Sequence, residues 1–285
     1  MKKIWFIAAS VLFFTLGCAT GEADSDKKSL TVTVLPQKDI TEQIAGDMYE
    51  VNVMIPPGAS PATYEPTPRQ IGKLNQSEAY LKIGHIVFEK AWMDKFKSTA
   101  PGLKFFDTSK ELDLIEKNGR VDPHVWTSPE MVAGMAQNTR DILLQLTPEE
   151  NKTERERINT NYQQFEKEID SLQQTIKSML KPYRGESFLI YHPALSYYCR
   201  EFNLNQIPIE VEGKEPSASY MQNVIREGKE KNIKAILIQE QFNRKKAMSI
   251  ADELDAKVIT INPLAADWSE SMMEITKKLV EAFKS

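Results

Sequence analysis

Apolar residues along this chain fall into two kinds of run. Short stretches rich in β-branched residues occur at 30–35 (Leu-Thr-Val-Thr-Val-Leu), 51–55 and 79–83. Similar stretches recur at 188–191, 207–211, 235–238 and 258–261. Runs of this length and composition predict strands. Between most of them the apolar positions return at helical spacing, as over 67–77. Ser128-Pro129-Glu130 supplies an N-cap followed by proline at the first helical position, opening a helix through Met131, Met135 and Ile142. Strands alternating with helices predict parallel α/β sheets.

The middle of the chain breaks this rhythm. Apolar residues at Ile158, Tyr162, Phe165, Ile169, Leu172, Ile176 and Leu180 are spaced 4, 3, 4, 3, 4 and 4 apart, a helical stripe on an otherwise polar segment. Thr147-Pro148-Glu149-Glu150 reads as a capping box, so the helix is expected over 148–180, ~50 Å long. Pro182 ends it. Such a helix is long for one small lobe. It is read as a spine that packs across two lobes and joins them, the alternative being a coiled-coil dimerisation helix. The expected organisation is a leader over 1–17, a tether over 18–28, a first α/β lobe over 29–146, the linking helix over 147–181 and a second α/β lobe over 182–285.

The leader follows from the first residues. Lys2 and Lys3 precede an apolar run over 4–16, too short for a membrane span of ~20 residues. A charged start, a short apolar run and small residues at the cut describe a secretory signal. Thr15-Leu16-Gly17-Cys18 resembles a bacterial lipobox, which makes Cys18 the lipidation site, with an ordinary signal and a chance cysteine as the alternative. The polar stretch after Cys18 cannot bury a core and is expected to tether the protein to a membrane. Taking Lys2 and Lys3 from the formal charge of −4 leaves −6. A mildly acidic chain carries no footprint for nucleic acid. With Cys18 lipidated, Cys199 is the one cysteine left of two, so no intrachain disulfide forms.

The chemistry concentrates on three histidines. His85 directly follows the strand at 79–83, and His192 directly follows the strand at 188–191. His124 lies in Asp122-Pro123-His124-Val125-Trp126, just before a helix start. Ligands of open α/β folds gather at the carboxyl ends of strands. A lone histidine is more often a structural residue than a ligand, but this shared placement favours a metal site, since imidazole suits zinc, copper and nickel. Glu240, which follows the strand at 235–238, is the best carboxylate candidate, either as a ligand or as the group holding a ligand histidine. Asp267 is a weaker one. Signatures of catalysis are thin: the chain has no Gly-x-Ser-x-Gly elbow, no phosphate-binding glycine-rich loop and no His-Glu-x-x-His pair. A binding protein rather than an enzyme is expected.

These residues also carry a family resemblance. From about residue 31 to 284 the chain resembles the zinc- and manganese-binding solute-binding proteins of bacterial ABC importers, the cluster 9 or A-I family. The segments that carry it are Val53-Met54-Ile55-Pro56-Pro57-Gly58, Tyr64-Glu65-Pro66-Thr67-Pro68, Phe88-Glu89 with Trp92, Asp122-Pro123-His124-Val125-Trp126, Tyr191-His192-Pro193-Ala194, Gly213-Lys214-Glu215-Pro216-Ser217, Gln239-Glu240-Gln241-Phe242 and Asn262-Pro263-Leu264. Each is weak alone; their order and spacing are specific. The resemblance implies two α/β lobes joined by a long backbone helix, with the metal in the cleft between them. It implies His124 and His192 as ligands. Two family ligands are replaced: a histidine by Ala62 and an aspartate by Asn262. His85 is taken to stand in for the lost histidine. The His-rich acidic loop of many zinc members is absent, with Glu116-Lys117-Asn118-Gly119 in its place.

The expected function is capture of a divalent metal and its delivery to an ABC permease. Three imidazoles and at most one carboxylate favour Zn2+ over Mn2+, which prefers oxygen, though Mn2+ stays possible. Because imidazole binds metal only when deprotonated, affinity is expected to fall as pH drops through the histidine range. The protein is expected to be an extracytoplasmic, lipid-anchored monomer. The alternatives are the same fold binding a metal chelate or small organic solute, a zinc hydrolase using Glu240 as base, and a surface adhesin.

Overall fold

The computed structural model describes residues 27–210 and 216–284. The leader, Cys18 and most of the tether lie outside the described residues, as do Val211 at the end of one expected strand and the first three residues of Gly213-Lys214-Glu215-Pro216-Ser217.

In the first lobe, β1 (Ser29–Val32), β2 (Glu50–Val53), β3 (Ala79–Lys82) and β4 (Lys104–Asp107) form one sheet in the order β2-β1-β3-β4, parallel throughout. Helices α1 (Leu35–Ala45), α2 (Pro68–Gln76) and α3 (Val87–Thr99) make the crossovers. A two-residue hairpin, β5 (Glu116–Lys117) with β6 (Arg120–Val121), leads into α4 (Pro129–Leu146). After α5 (Lys152–Leu180) the second lobe repeats the plan. Its strands are β7 (Ser187–Ile190), β8 (Asn205–Pro208), β9 (Ala235–Gln239) and β10 (Lys257–Ile261). Their order is β10-β9-β7-β8, again all parallel. Read from the other edge, this is the 2-1-3-4 order of the first sheet. Helices α6 (Ser196–Phe202), α7 (Ala218–Glu230), α8 (Arg244–Leu254) and α9 (Trp268–Lys284) complete the lobe.

The expected strands are present with ends shifted by a few residues. β1 stops at Val32 rather than residue 35, because Leu35 and Pro36 open α1 with proline in its first turn. The helix read over 67–77 opens on a capping box: the Thr67 hydroxyl accepts from the Gln70 N–H, and the Gln70 side chain accepts from the Thr67 N–H. Ser128 caps α4 as expected, accepting from the Met131 N–H. The spine begins later than its sequence suggested, at Lys152 instead of Pro148. Thr147 closes α4: its N–H and its hydroxyl both donate to the Leu143 carbonyl. A residue before proline is pushed out of the α region, so Thr147-Pro148 ends one helix rather than starting the next. Asn151 caps α5 through the Glu154 N–H. The remaining 29 residues span ~43 Å.

The stripe on α5 is consumed inside the chain. Ile158, Tyr162, Phe165, Ile169, Ile176 and Leu180 are all buried, and the helix packs against α4, α1 and α9. That leaves no apolar seam on α5 for a coiled-coil partner; the large exposed apolar residues among those described are Val87 and Met248, neither of them on it. One core runs through both lobes, taking Leu30, Val32 and Tyr80 from the first, Phe188, Ile190 and Leu237 from the second, and Phe165, Ile169 and Trp268 between them. A second, smaller core lies on the far face of the second sheet, where Leu189, Ile236 and Ile238 meet Val224, Ala247 and Ile250. Two indoles pin the lobes together: Trp126 Nε1 donates to the Pro263 carbonyl (2.8 Å), and Trp268 Nε1 donates to the Trp126 carbonyl (2.7 Å).

Candidate metal centre

In a parallel sheet of 2-1-3-4 order the crossovers diverge between the second and third strands in space, and ligands bind at the carboxyl ends there. In the first sheet this point lies between β1 and β3, and His85 follows β3. In the second it lies between β7 and β9, where His192 follows β7 and Glu240 follows β9.

His192 is held by its backbone and by its ring. The Gln239 amide, 2% exposed, clasps its peptide from both sides: Oε1 accepts from the His192 N–H (3.3 Å) and Nε2 donates to the His192 carbonyl (2.6 Å). Phe242 stacks on the imidazole at 5.5 Å between centroids. Ring Nδ1 faces both oxygens of Glu210 at 3.3 Å. His124 is held in a similar way. Asp122 Oδ1 accepts from the His124 N–H (3.0 Å) and faces its Nδ1 at 2.7 Å. The Trp126 ring meets the imidazole edge-on at 5.4 Å. The Asp122 carbonyl in turn accepts from the Tyr197 hydroxyl (2.7 Å), and the Thr127 hydroxyl reaches the carbonyls of His124 and Ala194. The loop bearing His124 is thus tied to the second lobe.

The outcome is that the two remaining ring nitrogens converge, His124 Nε2 and His192 Nε2 being 3.2 Å apart. Two nitrogens bound tetrahedrally at the zinc–nitrogen length of ~2.0–2.1 Å lie ~3.3–3.4 Å apart. The pair therefore already has the bite of two neighbouring zinc ligands. Burial pushes the Asp122 carboxyl upward, but its contacts with His124, two hydrogen bonds among them, outweigh that and hold the group below its ordinary value.

The other expected ligands are placed differently. Among the described residues, no three His, Cys, Asp or Glu side chains are gathered into a metal-holding cluster, so His85 and Glu240 are not assembled with the pair. His85 is half-buried beside Asp107, Lys82 and Lys90. Burial lowers its pKa, with the two lysines adding to the effect and Asp107 opposing it. That keeps the ring neutral. Its loop is fixed by Glu89, whose carboxylate accepts from the N–H groups of Ile83 (2.8 Å) and Gly84 (2.6 Å). Glu240 is exposed and accepts from Asn262 Nδ2 (2.9 Å), while Asn262 Oδ1 accepts from the Leu264 N–H (3.0 Å). Both ends of that amide are engaged. Ala62 lies exposed in a turn. Asp267 caps α9, accepting from the Glu270 N–H (2.8 Å). Cys199 is buried, and burial drives its thiol pKa far up, in keeping with an inert residue.

Asp122, Glu210, Gln239 and Phe242 carry no role in the sequence pattern alone. A signal existed for Glu210 and Gln239: like His192, they stand at the carboxyl ends of neighbouring strands.

Two α/β lobes welded along a spine helix, with two imidazoles converging at the seam, have the architecture of a solute-binding protein. The family comparison agrees. The model for the periplasmic zinc-uptake complex component A, ZnuA, matches residues 30–282, and the chain belongs to that family. It is 26% identical to the high-affinity zinc uptake system protein ZnuA of Bacillus subtilis (strain 168), over 100% of this chain and 98% of that protein. It is similar to a crystal structure of ZnuA, with TM-score 0.85 and 35% identity over 90% of this chain and 99% of the other. It is also similar to the laminin-binding protein Lmb of Streptococcus agalactiae, described as having adhesin and metal-transporting activity, with TM-score 0.80 and 25% identity over 90% and 99% of the two chains.

Proposed function

We propose that this protein captures a divalent cation, zinc before manganese, in the seam between its lobes and hands it to the permease of an ABC importer. His124 and His192 are the first ligands. His85 and Glu240 are the groups that complete the shell. Each follows the carboxyl end of a strand at the divergence point of its own sheet, β3 in the first and β9, beside the strand of His192, in the second, and burial favours the neutral His85 ring. The protein acts as a binding component rather than an enzyme, outside the cytoplasm, as a monomer tethered through a lipid on Cys18. Support for the transport role comes from the family and from relatives named for zinc uptake.

The observation that carries this reading is the 3.2 Å approach of His124 Nε2 and His192 Nε2, with each Nδ1 occupied by a carboxylate. Two imidazole lone pairs at that distance repel unless a proton or a cation lies between them, and a zinc ion fits the spacing.

The test is calorimetric titration of chelator-stripped protein, residues 27–285, with zinc. One-to-one binding that His192→Ala loses is the expected result. Binding that survives both His124→Ala and His192→Ala would overturn the site. His85→Ala run beside them decides the third ligand: weaker binding in this variant places His85 in the shell, and unchanged binding removes it.

A further inference from the structure

Buried carboxylates ordinarily face a lysine, an arginine or several N–H donors. Glu210, with a side chain only 7% exposed, faces the His192 ring at 3.3 Å, and no lysine or arginine forms an ion pair with it among the described residues. Asp122, 16% exposed, meets the ring and N–H of His124 in the same manner. Two anions thus stand directly behind two imidazoles whose free nitrogens point at one spot. Meanwhile the two positions where the family resemblance has a histidine and an aspartate carry uncharged residues here, Ala62 and Asn262, and the Asn262 amide is occupied by Glu240 and Leu264. The histidine pair by itself brings no negative charge to a divalent ion.

We propose that Asp122 and Glu210 are the positioning residues of this site. Each keeps the proton of its imidazole on Nδ1, so that both Nε2 lone pairs face the ion. Together they supply, from behind the rings, the two negative charges that the neutral nitrogen donors do not. This rests on the metal reading above. The logic is electrostatic. A neutral histidine has one N–H and one lone pair, and an acceptor at Nδ1 fixes which nitrogen has which. A carboxylate in that place also raises the basicity of the ligating nitrogen, and loss of such a partner typically costs 10–100-fold in metal affinity. The expense of burying Glu210 without a cationic partner is offset when a cation binds at the far side of the same ring. Gln239, which clasps the His192 backbone, fixes where the ring stands but not where its proton sits.

The experiment uses zinc-free protein, residues 27–285, with isotope-labelled histidine. Nitrogen chemical shifts identify the protonated nitrogen of each ring, and chelator competition measures zinc affinity. In the wild type both His124 and His192 are expected to carry a proton on Nδ1, with at most one further proton shared between the two Nε2 atoms until zinc displaces it. Asp122→Ala and Glu210→Ala should each send their own ring toward the Nε2–H form and lower zinc affinity ~10–100-fold. Asp122→Glu should restore part of the loss. Glu210→Gln retains an acceptor and the shape while removing the charge, so it should keep the tautomer and still bind more weakly; it also serves if Glu210→Ala fails to fold. Nδ1 atoms without a proton in the wild type, or folded alanine variants with wild-type affinity, would overturn the proposal. If both Nδ1 atoms carry a proton and zinc does not bind, the metal reading fails and with it the charge role. If zinc binds tightly to a protein whose Nδ1 atoms are bare before loading, the metal reading stands and this inference fails.

Discussion

Replacing Glu89 by alanine is the most informative perturbation outside the histidine pair, because it tests how the His85 loop is held. Glu89 is 2% exposed, on α3. Its carboxylate accepts from the Thr33 hydroxyl and from the N–H groups of Ile83 and Gly84. After truncation Thr33 keeps the Tyr80 hydroxyl as a partner at 2.8 Å, so two backbone N–H groups are left bare. Each buried orphan costs ~1–3 kcal/mol, or ~2–6 kcal/mol for the pair. Relief of a desolvated carboxylate offsets part of this, since burial raises the Glu89 pKa despite its three donors. A net loss of ~2–4 kcal/mol is expected, and at ~2–4 °C per kcal/mol for a chain of this size the melting temperature should fall by roughly 4–16 °C. Calorimetric melting of residues 27–285 at pH 7 measures it. The pH dependence has a definite sign. With its folded pKa raised, Glu89 contributes stability that is fully present below the unfolded value near 4.5 and is lost as pH rises through the folded value. The stability gap between wild type and Glu89→Gln should therefore widen as pH is lowered from 7 toward 4.5. A melting temperature unchanged in Glu89→Ala, or a gap that narrows on acidification, would refute the reasoning.

Two further outcomes follow from the same coordinates. Gly84 has φ of +91°, and a Cβ there would stand 2.4 Å from Asp107 Oδ2, so Gly84→Ala should cost ~1–3 kcal/mol in urea unfolding and weaken zinc binding if His85 is a ligand. Cys199 is 6% exposed with a strongly raised pKa, so a thiol reagent at pH 8 should leave the native protein unlabelled and react stoichiometrically once it is unfolded.

Much of the fold was legible because it is written as local pattern. All seven expected strands exist, since runs such as Ala-Ile-Leu-Ile-Gln at 235–239 are apolar on both faces and fit only a covered parallel sheet. The spine was legible from its stripe, but its start was misplaced, because Thr-Pro reads equally well as a cap and as a stop and only the neighbouring α4 decides. What stayed hidden was short or non-periodic: β4 is four residues (Lys-Phe-Phe-Asp) and α1 lacks an acidic first turn or a side-chain cap. Of the site, the histidines stood out through their place at strand ends. Asp122 was quoted within a motif without a role, and Glu210 passed as an ordinary strand residue. The reason is physical. A ligand is marked by its residue type, but a residue that orients a ligand is marked only by what it touches across 18 positions of chain, and pairing of β7 with β8 creates that contact.

If the histidine pair holds the ion as proposed, the seam that carries it also constrains how the ion enters and leaves. His124 comes from the connection between the first sheet and the spine, and His192 from the second sheet, so swinging the lobes apart would separate the pair. Yet such a swing must break the hydrogen bonds of Trp126 and Trp268 and open a core that Phe165, Ile169 and Trp268 make continuous from lobe to lobe. Exposing even ~200 Å² of apolar surface costs ~5 kcal/mol at ~25 cal/mol per Å². A typical coupling between ligand binding and conformation is ~1–3 kcal/mol. The lobes are therefore too firmly joined for ion binding alone to drive them open. The segment that carries His85 is held as well, by Ile83 and Ile86 in the shared core and by Glu89, so the element that can move at lower cost is the turn after β9 that carries Glu240, an exposed side chain held by one amide. On the proposed reading, a fixed histidine pair with a loosely held carboxylate near it matches a protein that must bind its ion and then give it up: the pair would define the position, and the Glu240 turn would set how readily the ion is released.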